Sequence, residues 1–324
     1  MPPPDAAAPG PGAPPRPAPA EPHVVEFGYR GYRYAARVSP CAEARTEPLL
    51  VLGGALQSKD AWRLHEMDFA TWATTVAIDV PGLGDADPLP VHHGLDFHAD
   101  ALRHALDRLA MPSVNVLGYS YGALIAYQLA CAFPGRVARL ALAGMGEPEP
   151  EQAEDAAEIR EMARLLQDGA WDAFARRAAD VLTRTTGITR TDASAAVQLL
   201  VHRQFTTLSA DRTRQYLANL ERLKYAYEHR GSWITGPADG APLAVPTLLF
   251  TGAGDTLATP ERVRAFTAAF ADATFTTVRD SGHLALLERR AECTDLLRRF
   301  FTDDLARTPG YCTAIERLGA TGRR

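Results

Sequence analysis

Lysine is almost missing from this chain. Lys59 and Lys224 are the only two in 324 residues, so arginine carries nearly all the positive charge. Together with the many alanines and prolines, this reads as the codon bias of a GC-rich bacterial genome and not as a functional signal. There is no basic excess: 34 Lys and Arg face 39 Asp and Glu, a net charge of -5. That gives no electrostatic reason to expect a nucleic acid or an anionic membrane as partner. Cysteine is scarce as well. Cys41, Cys131, Cys293 and Cys312 are scattered, without the paired spacing of a metal site, so reduced thiols and a cytoplasmic location are expected. No apolar run reaches the length of a membrane span. The N-terminus lacks the basic region followed by an apolar one that marks a secretory signal. What is present, 46% hydrophobic and 23% charged residues, is enough for one large core plus an insertion.

Residues 1–22 are Pro, Ala and Gly with almost no large apolar side chain, and are expected to form a disordered tail. His23 to Val38 is rich in aromatic and β-branched residues and is punctuated by Gly31, as in an antiparallel hairpin. Apolar strands and helices with 3.6-residue periodicity then alternate. Strands are predicted at Pro48–Leu52, Thr74–Val80, Val114–Tyr119 and Val137–Gly144, and again at Pro246–Gly252 and Ala273–Val278. The intervening helices include Phe97–Leu109, Pro260–Phe270 and Leu284–Phe301. This alternation predicts an α/β fold with a mostly parallel sheet and helices on both faces. Between residues 147 and 244 no strand-like run occurs; four amphipathic segments predict a helical insertion, a cap on the core formed by 23–146 and 245–302. Residues 303–324 read as a polar tail.

One stretch organises the rest: the strand Val114–Tyr119, then Gly118-Tyr119-Ser120-Tyr121-Gly122, then a helix. A serine hydroxyl is a poor nucleophile unless it is exposed and beside a base. A sharp strand-to-helix turn lifts Ser120 above the sheet edge, and glycines two before and two after let strand and helix pass closely. Open parallel sheets place their sites beyond the strand C-terminal ends. Gly53-Gly54-Ala55, Asp79, Ser120, Asp255 and His283 all stand at such ends. The order Ser120, Asp255, His283 supplies a nucleophile, an orienting acid and a base. Glu147 and Glu149 are rival acids, and Asp280 stands too near His283 in sequence to be preferred. His92, His93, His98 and His104 cluster in the sequence, but the spacing of His98 and His104 does not set two ligands on one helix face, so no metal site is expected.

These segments resemble the α/β-hydrolase superfamily, from about residue 23 to 302 apart from the insertion. Gly118–Gly122 resembles its nucleophile elbow, Gly252–Pro260 its acid-bearing loop, and Gly282-His283 with Leu287-Glu288 its base segment. Asp79–Gly84 resembles a loop of its small-molecule members. Gly53–Trp62 resembles its oxyanion segment, with Gly53 where histidine is usual and Gln57 where glycine is usual. The resemblance implies Ser120, Asp255 and His283 as catalytic residues and the backbone N–H groups of Ala55 and Tyr121 as oxyanion donors. It also implies a small-molecule substrate and no metal or organic cofactor. The substrate pocket is expected among Leu56, Tyr119, Trp171, Phe174, Tyr216, Leu257 and Leu284. The expected activity is hydrolysis of an ester or thioester with an apolar acyl group. The same residues would serve a carbon–carbon hydrolase, an acyltransferase, a cyclising enzyme or a binding module without turnover. Oligomeric state is not legible in the sequence.

Overall fold

A computed structural model describes residues 21–146, 153–188, 192–206, 209–228 and 236–319. The chain opens with a hairpin, β1 (His23–Tyr29) and β2 (Tyr32–Ser39), paired antiparallel with Tyr29 opposite Tyr32. Its two turn residues, Arg30 and Gly31, both have positive φ (48° and 89°), the two-residue turn whose twist matches that of the strands. Then follow β3 (Leu49–Leu52), α1 (Arg63–Phe69), β4 (Thr75–Asp79), α2 (Leu95–Arg108), β5 (Val114–Tyr119), α3 (Tyr121–Ala132) and β6 (Val137–Ala143). Four helices come next: α4 (Ala153–Gln167), α5 (Trp171–Leu182), α6 (Asp192–Phe205) and α7 (Ala210–Glu228). The core resumes with β7 (Thr247–Gly252), α8 (Pro260–Phe266), β8 (Ala273–Val278), α9 (Ala285–Glu288), α10 (Arg290–Phe301) and β9 (Glu316–Leu318).

The strands form one nine-stranded sheet in the order β1-β2-β4-β3-β5-β6-β7-β8-β9, parallel from β4 to β8. Its central strands are buried on both faces, which is why they read as continuous apolar runs. Alternate residues serve different layers. Leu50 and Leu52 pack with α2 and α3, whereas Leu49 and Val51 pack with α1, α10 and the inserted helices. From β3 the chain steps to β4 on one side and then crosses to β5 on the other. The topological switch therefore lies between β3 and β5, where a crevice opens at the strand C-terminal ends.

Three local features go beyond what the sequence shows. In α1, Trp62 just before the helix and Phe69 face inward, whereas Leu64 and Met67 are exposed. The last helix is broken at Arg289 into α9 and α10. The polar segment after Phe301 packs on the core up to Gly319: Leu305 and Cys312 are buried, and β9 pairs antiparallel with β8. This strand covers an edge that would otherwise leave a row of backbone groups unpaired. Among the described residues no helix is long and apolar enough to cross a membrane.

Candidate active site

Ser120 stands between β5 and α3 with φ 52° and ψ −118°, a conformation that L-residues adopt at a cost. Glycine neighbours make the turn sterically feasible. A Cβ on Gly118 would lie 2.6 Å from the Ala123 Cα, and one on Gly122 would lie 2.4 Å from the Gly53 carbonyl oxygen. The Ser120 N–H donates to the Ala143 carbonyl (2.8 Å), tying the turn to the end of β6.

His283 follows β8 and Asp255 follows β7; both are buried. His283 Nε2 lies 3.1 Å from Ser120 Oγ, and His283 Nδ1 lies 2.9 Å from Asp255 Oδ2. The acid is over-determined. Its Oδ1 accepts the N–H groups of Leu257 (2.8 Å) and Ala258 (3.0 Å), and its Oδ2 also accepts the Thr251 hydroxyl. Burial alone would push the Asp255 pKa up. The attraction of His283 and these hydrogen bonds outweigh burial and hold it below the ordinary carboxylate value. An ionised Asp255 accepts the Nδ1–H of His283 and so presents an unprotonated Nε2 to the Ser120 hydroxyl. The histidine backbone is braced too. The Tyr119 hydroxyl donates to the His283 carbonyl (2.9 Å), and the Gly282 N–H donates to Glu288 Oε2 (2.6 Å).

The Gly53–Trp62 segment runs against the nucleophile: a Cβ on Gly54 would lie 3.5 Å from the Ser120 Cβ. Its two unusual residues explain one another. Gln57 Oε1 accepts the Gly54 N–H (2.8 Å), while the Gln57 N–H closes a turn on the Gly54 carbonyl (3.0 Å). A Cβ on Gly53 would lie 3.1 Å from the Gln57 Cβ and 3.2 Å from the Trp62 Nε1. The glutamine thus fills the room a larger residue at 53 would need. Ala55 lies inside this turn. Tyr121 opens α3, where a backbone N–H has no acceptor within its own helix. The Tyr121 N–H thus follows Ser120 directly at the helix start, where it can meet an acceptor outside the helix.

The inserted helices close over this edge. The Thr186 N–H donates to the Gly254 carbonyl (3.0 Å), Arg212 pairs with Asp85 (2.5 Å), and Asn219 Nδ2 donates to the Ala55 carbonyl (2.5 Å). Lys59, buried, bonds Asp79 (3.1 Å) and Asp85 (2.8 Å) below. Of the expected pocket residues, Leu56, Tyr119 and Leu284 are buried in the apolar cluster that continues from the sheet into the cap, and Leu257 is half-buried beside Asp255. Tyr216 is buried on α7, one turn before Asn219. Phe174 is fully buried against Phe205 (5.3 Å between ring centroids), which meets Tyr216 at 5.5 Å, so it belongs to the cap interior. Trp171 is 37% exposed at the start of α5 and lines a shallow surface depression with Gly169, Asp172 and Thr206, outside that apolar cluster.

Asp280 is exposed in the turn after β8, and Glu147 and Glu149 lie outside the described residues. The histidines do not converge. His98 Nε2 bonds the Pro81 carbonyl (3.1 Å), His104 Nδ1 bonds the Tyr34 hydroxyl (2.8 Å), and His93 Nε2 bonds the Tyr32 hydroxyl (3.4 Å). Thr251, Gln57, Asn219 and Arg222 are site residues that sequence reasoning missed. For Asn219 and Arg222 a signal existed: both share a helical stripe with the apolar Tyr216 and Leu220, an odd place for an amide and a cation.

Comparison with known proteins agrees with this architecture. The chain belongs to the alpha/beta hydrolase fold family, whose profile matches residues 47–290. It is 34% identical over 105 residues to 2-hydroxy-6-oxononadienedioate/2-hydroxy-6-oxononatrienedioate hydrolase 2 of Pseudomonas putida, covering 31% of this chain and 37% of that one. The chain spans 30% to 37% of the length of the curated relatives it matches. Among solved structures it is similar to MGS-M2, an alpha/beta hydrolase enzyme from a deep-sea metagenome library. There the TM-score is 0.71 at 18% identity, over 86% of this chain and 97% of that one. It is also similar to the enol-lactonase of Burkholderia xenovorans, with a TM-score of 0.67 at 18% identity, over 86% of this chain and all (100%) of the other. At such identities the structural likeness speaks for the fold.

Proposed function

We propose that this protein is a serine hydrolase that cleaves an ester or thioester of a small molecule with an apolar acyl group, through an acyl-enzyme on Ser120. The observation that carries the reading is the chain of contacts from Ser120 Oγ through His283 to a buried Asp255, 3.1 and 2.9 Å long. His283 takes the Ser120 proton as the hydroxyl oxygen attacks the carbonyl carbon. The N–H groups of Ala55 and Tyr121 hold the oxyanion. His283 then gives its proton to the leaving group, and water, deprotonated by the same imidazole, releases the acid. Every step uses groups of the chain itself. The acyl group lies against the apolar cluster of Leu56, Leu284 and the cap.

The test is a panel of p-nitrophenyl esters and acyl thioesters of graded chain length, with kcat and KM measured separately for wild type and Ser120→Ala. Wild type is expected to turn over the panel with KM falling as the chain lengthens, and Ser120→Ala to lose nearly all turnover while staying folded. Full activity in Ser120→Ala would refute the proposal.

A further inference from the structure

The helix α7 carries a buried polar pair that touches both residues assigned to the oxyanion. Asn219 is 2% exposed and Arg222 is fully buried, unusual for an amide and a cation on the inner face of a roof helix. Asn219 Nδ2 donates to the Ala55 carbonyl at 2.5 Å, and Arg222 Nη1 donates to Asn219 Oδ1 at 3.1 Å. The second contact dictates the first. A guanidinium has no acceptor, so it must meet the amide oxygen, which turns the amide nitrogen toward Ala55. Arg222 is itself seated by the Leu89 carbonyl and lies across Gly82, where a Cβ would come within 2.9 Å of Nη1. It also sits beside the Tyr121 side chain and acts on its hydroxyl.

We propose that Asn219 and Arg222 are positioning residues of the oxyanion hole, so that the hole is complete only when the cap is docked. The inference rests on the reading of Ser120 as nucleophile. Its physical content is the Ala55 backbone. The peptide before Ala55 is fixed by the Gln57 N–H on the Gly54 carbonyl (3.0 Å), and the peptide after it by Asn219. With both flanking carbonyls held, the Ala55 N–H has one direction left. An oxyanion donor acts only while it is aimed in advance at the developing charge. The two anchors differ in origin: Gln57 belongs to the same loop, whereas Asn219 comes from the cap, more than 160 residues later.

The charge on Arg222 fits the same role. Buried Arg37 is paired with Glu66 and Asp60, and buried Lys59 with Asp79 and Asp85. Among the described residues no carboxylate is paired with Arg222, whose partners there are the Asn219 amide oxygen and the Leu89 carbonyl oxygen. A buried cation without a counter-ion is costly. Beside the Tyr121 side chain, it adds positive charge on the side of the site where the oxyanion forms.

The test uses the full chain with Asn219→Leu, Asn219→Asp and Arg222→Met. Three readouts are needed: kcat and KM on p-nitrophenyl acetate and on a long-chain ester, the Ki of an alkyl boronic acid that mimics the tetrahedral oxyanion, and the melting temperature. The proposal expects kcat to fall about 10- to 100-fold on both esters alike. KM should stay within about twofold, and Ki should rise in proportion to the loss of kcat/KM across the variants. A purely structural role would lower the melting temperature without that proportionality, and would overturn the proposal. So would a raised KM for the long ester alone with short-ester kcat intact, which would make the pair a substrate contact. If Arg222→Met fails to fold, the two Asn219 variants decide the matter: Asn219→Leu removes the donor without adding charge, and Asn219→Asp keeps the shape but replaces the donor with a charged acceptor. A wild type that is inactive on every ester and unlabelled by a fluorophosphonate at Ser120 would overturn the nucleophile reading and this inference with it.

Discussion

His98 offers a quantitative handle on how tightly the region under the cap is closed. Its ring is fully buried, its Nε2–H donates to the Pro81 carbonyl at 3.1 Å, and it meets the Tyr121 ring edge-on at 6.2 Å. Burial first, and the nearby Arg222 second, pull its pKa down from 6.5 to about 3. The folded protein therefore refuses a proton that the unfolded chain accepts below pH 6.5. Between pH 6.5 and 3 the unfolded state binds more protons, so stability rises with pH and is lost as pH falls through that window. A depression from 6.5 to about 3 costs about 2 kcal/mol at pH 5 and about 4 kcal/mol at pH 3. The perturbation is His98→Gln, whose amide can still reach the Pro81 carbonyl but cannot be protonated. Urea unfolding of both proteins at pH 7.5 and pH 5.0 isolates the effect, because every other titrating group cancels. Wild type is expected to lose about 2 kcal/mol more than the variant over that interval. Equal losses would show that His98 protonates freely in the folded state, and the argument from burial beside Arg222 would fall.

Two further outcomes follow from the site. Asp255→Asn removes the acceptor that selects the His283 tautomer; it should lower kcat by about 10³- to 10⁴-fold with little change in KM, and an effect under tenfold, measured by steady-state kinetics, would mean another group orients the histidine. Trp171→Ala should leave kcat and chain-length preference unchanged, since Trp171 faces outward, whereas a shifted preference in the ester panel would place it in the substrate path.

The core was legible because its signals are local and repeated. Each parallel strand is a short apolar run, each helix an apolar stripe, and the positions where runs end carry Gly53-Gly54-Ala55, Ser120, Asp255 and His283. Strand order then brings the last three within hydrogen-bond reach. What escaped depends on packing between distant segments. β9 has a single apolar residue, Leu318, and forms only because β8 offers it an edge. Trp171 has the size and type of a pocket residue, but its place at the start of α5 turns it to solvent, which periodicity at a helix end does not specify. Gln57 looked like a departure from a loop pattern until its amide was seen to brace Gly54. Asn219 and Arg222 lie on the same stripe as Tyr216 and Leu220, and spacing alone does not say that the stripe ends on Ala55.

The central claim is that Ser120 carries the acyl group during turnover. Acid quenching within milliseconds of mixing with a p-nitrophenyl ester, followed by peptide mapping by mass spectrometry, tests it directly. The account predicts one acyl mass increment on the peptide containing Ser120. It should form more slowly in Asp255→Asn, where acylation is slowed, and be absent in Ser120→Ala. Turnover with no adduct on that peptide, or an adduct that persists in Ser120→Ala, would contradict it.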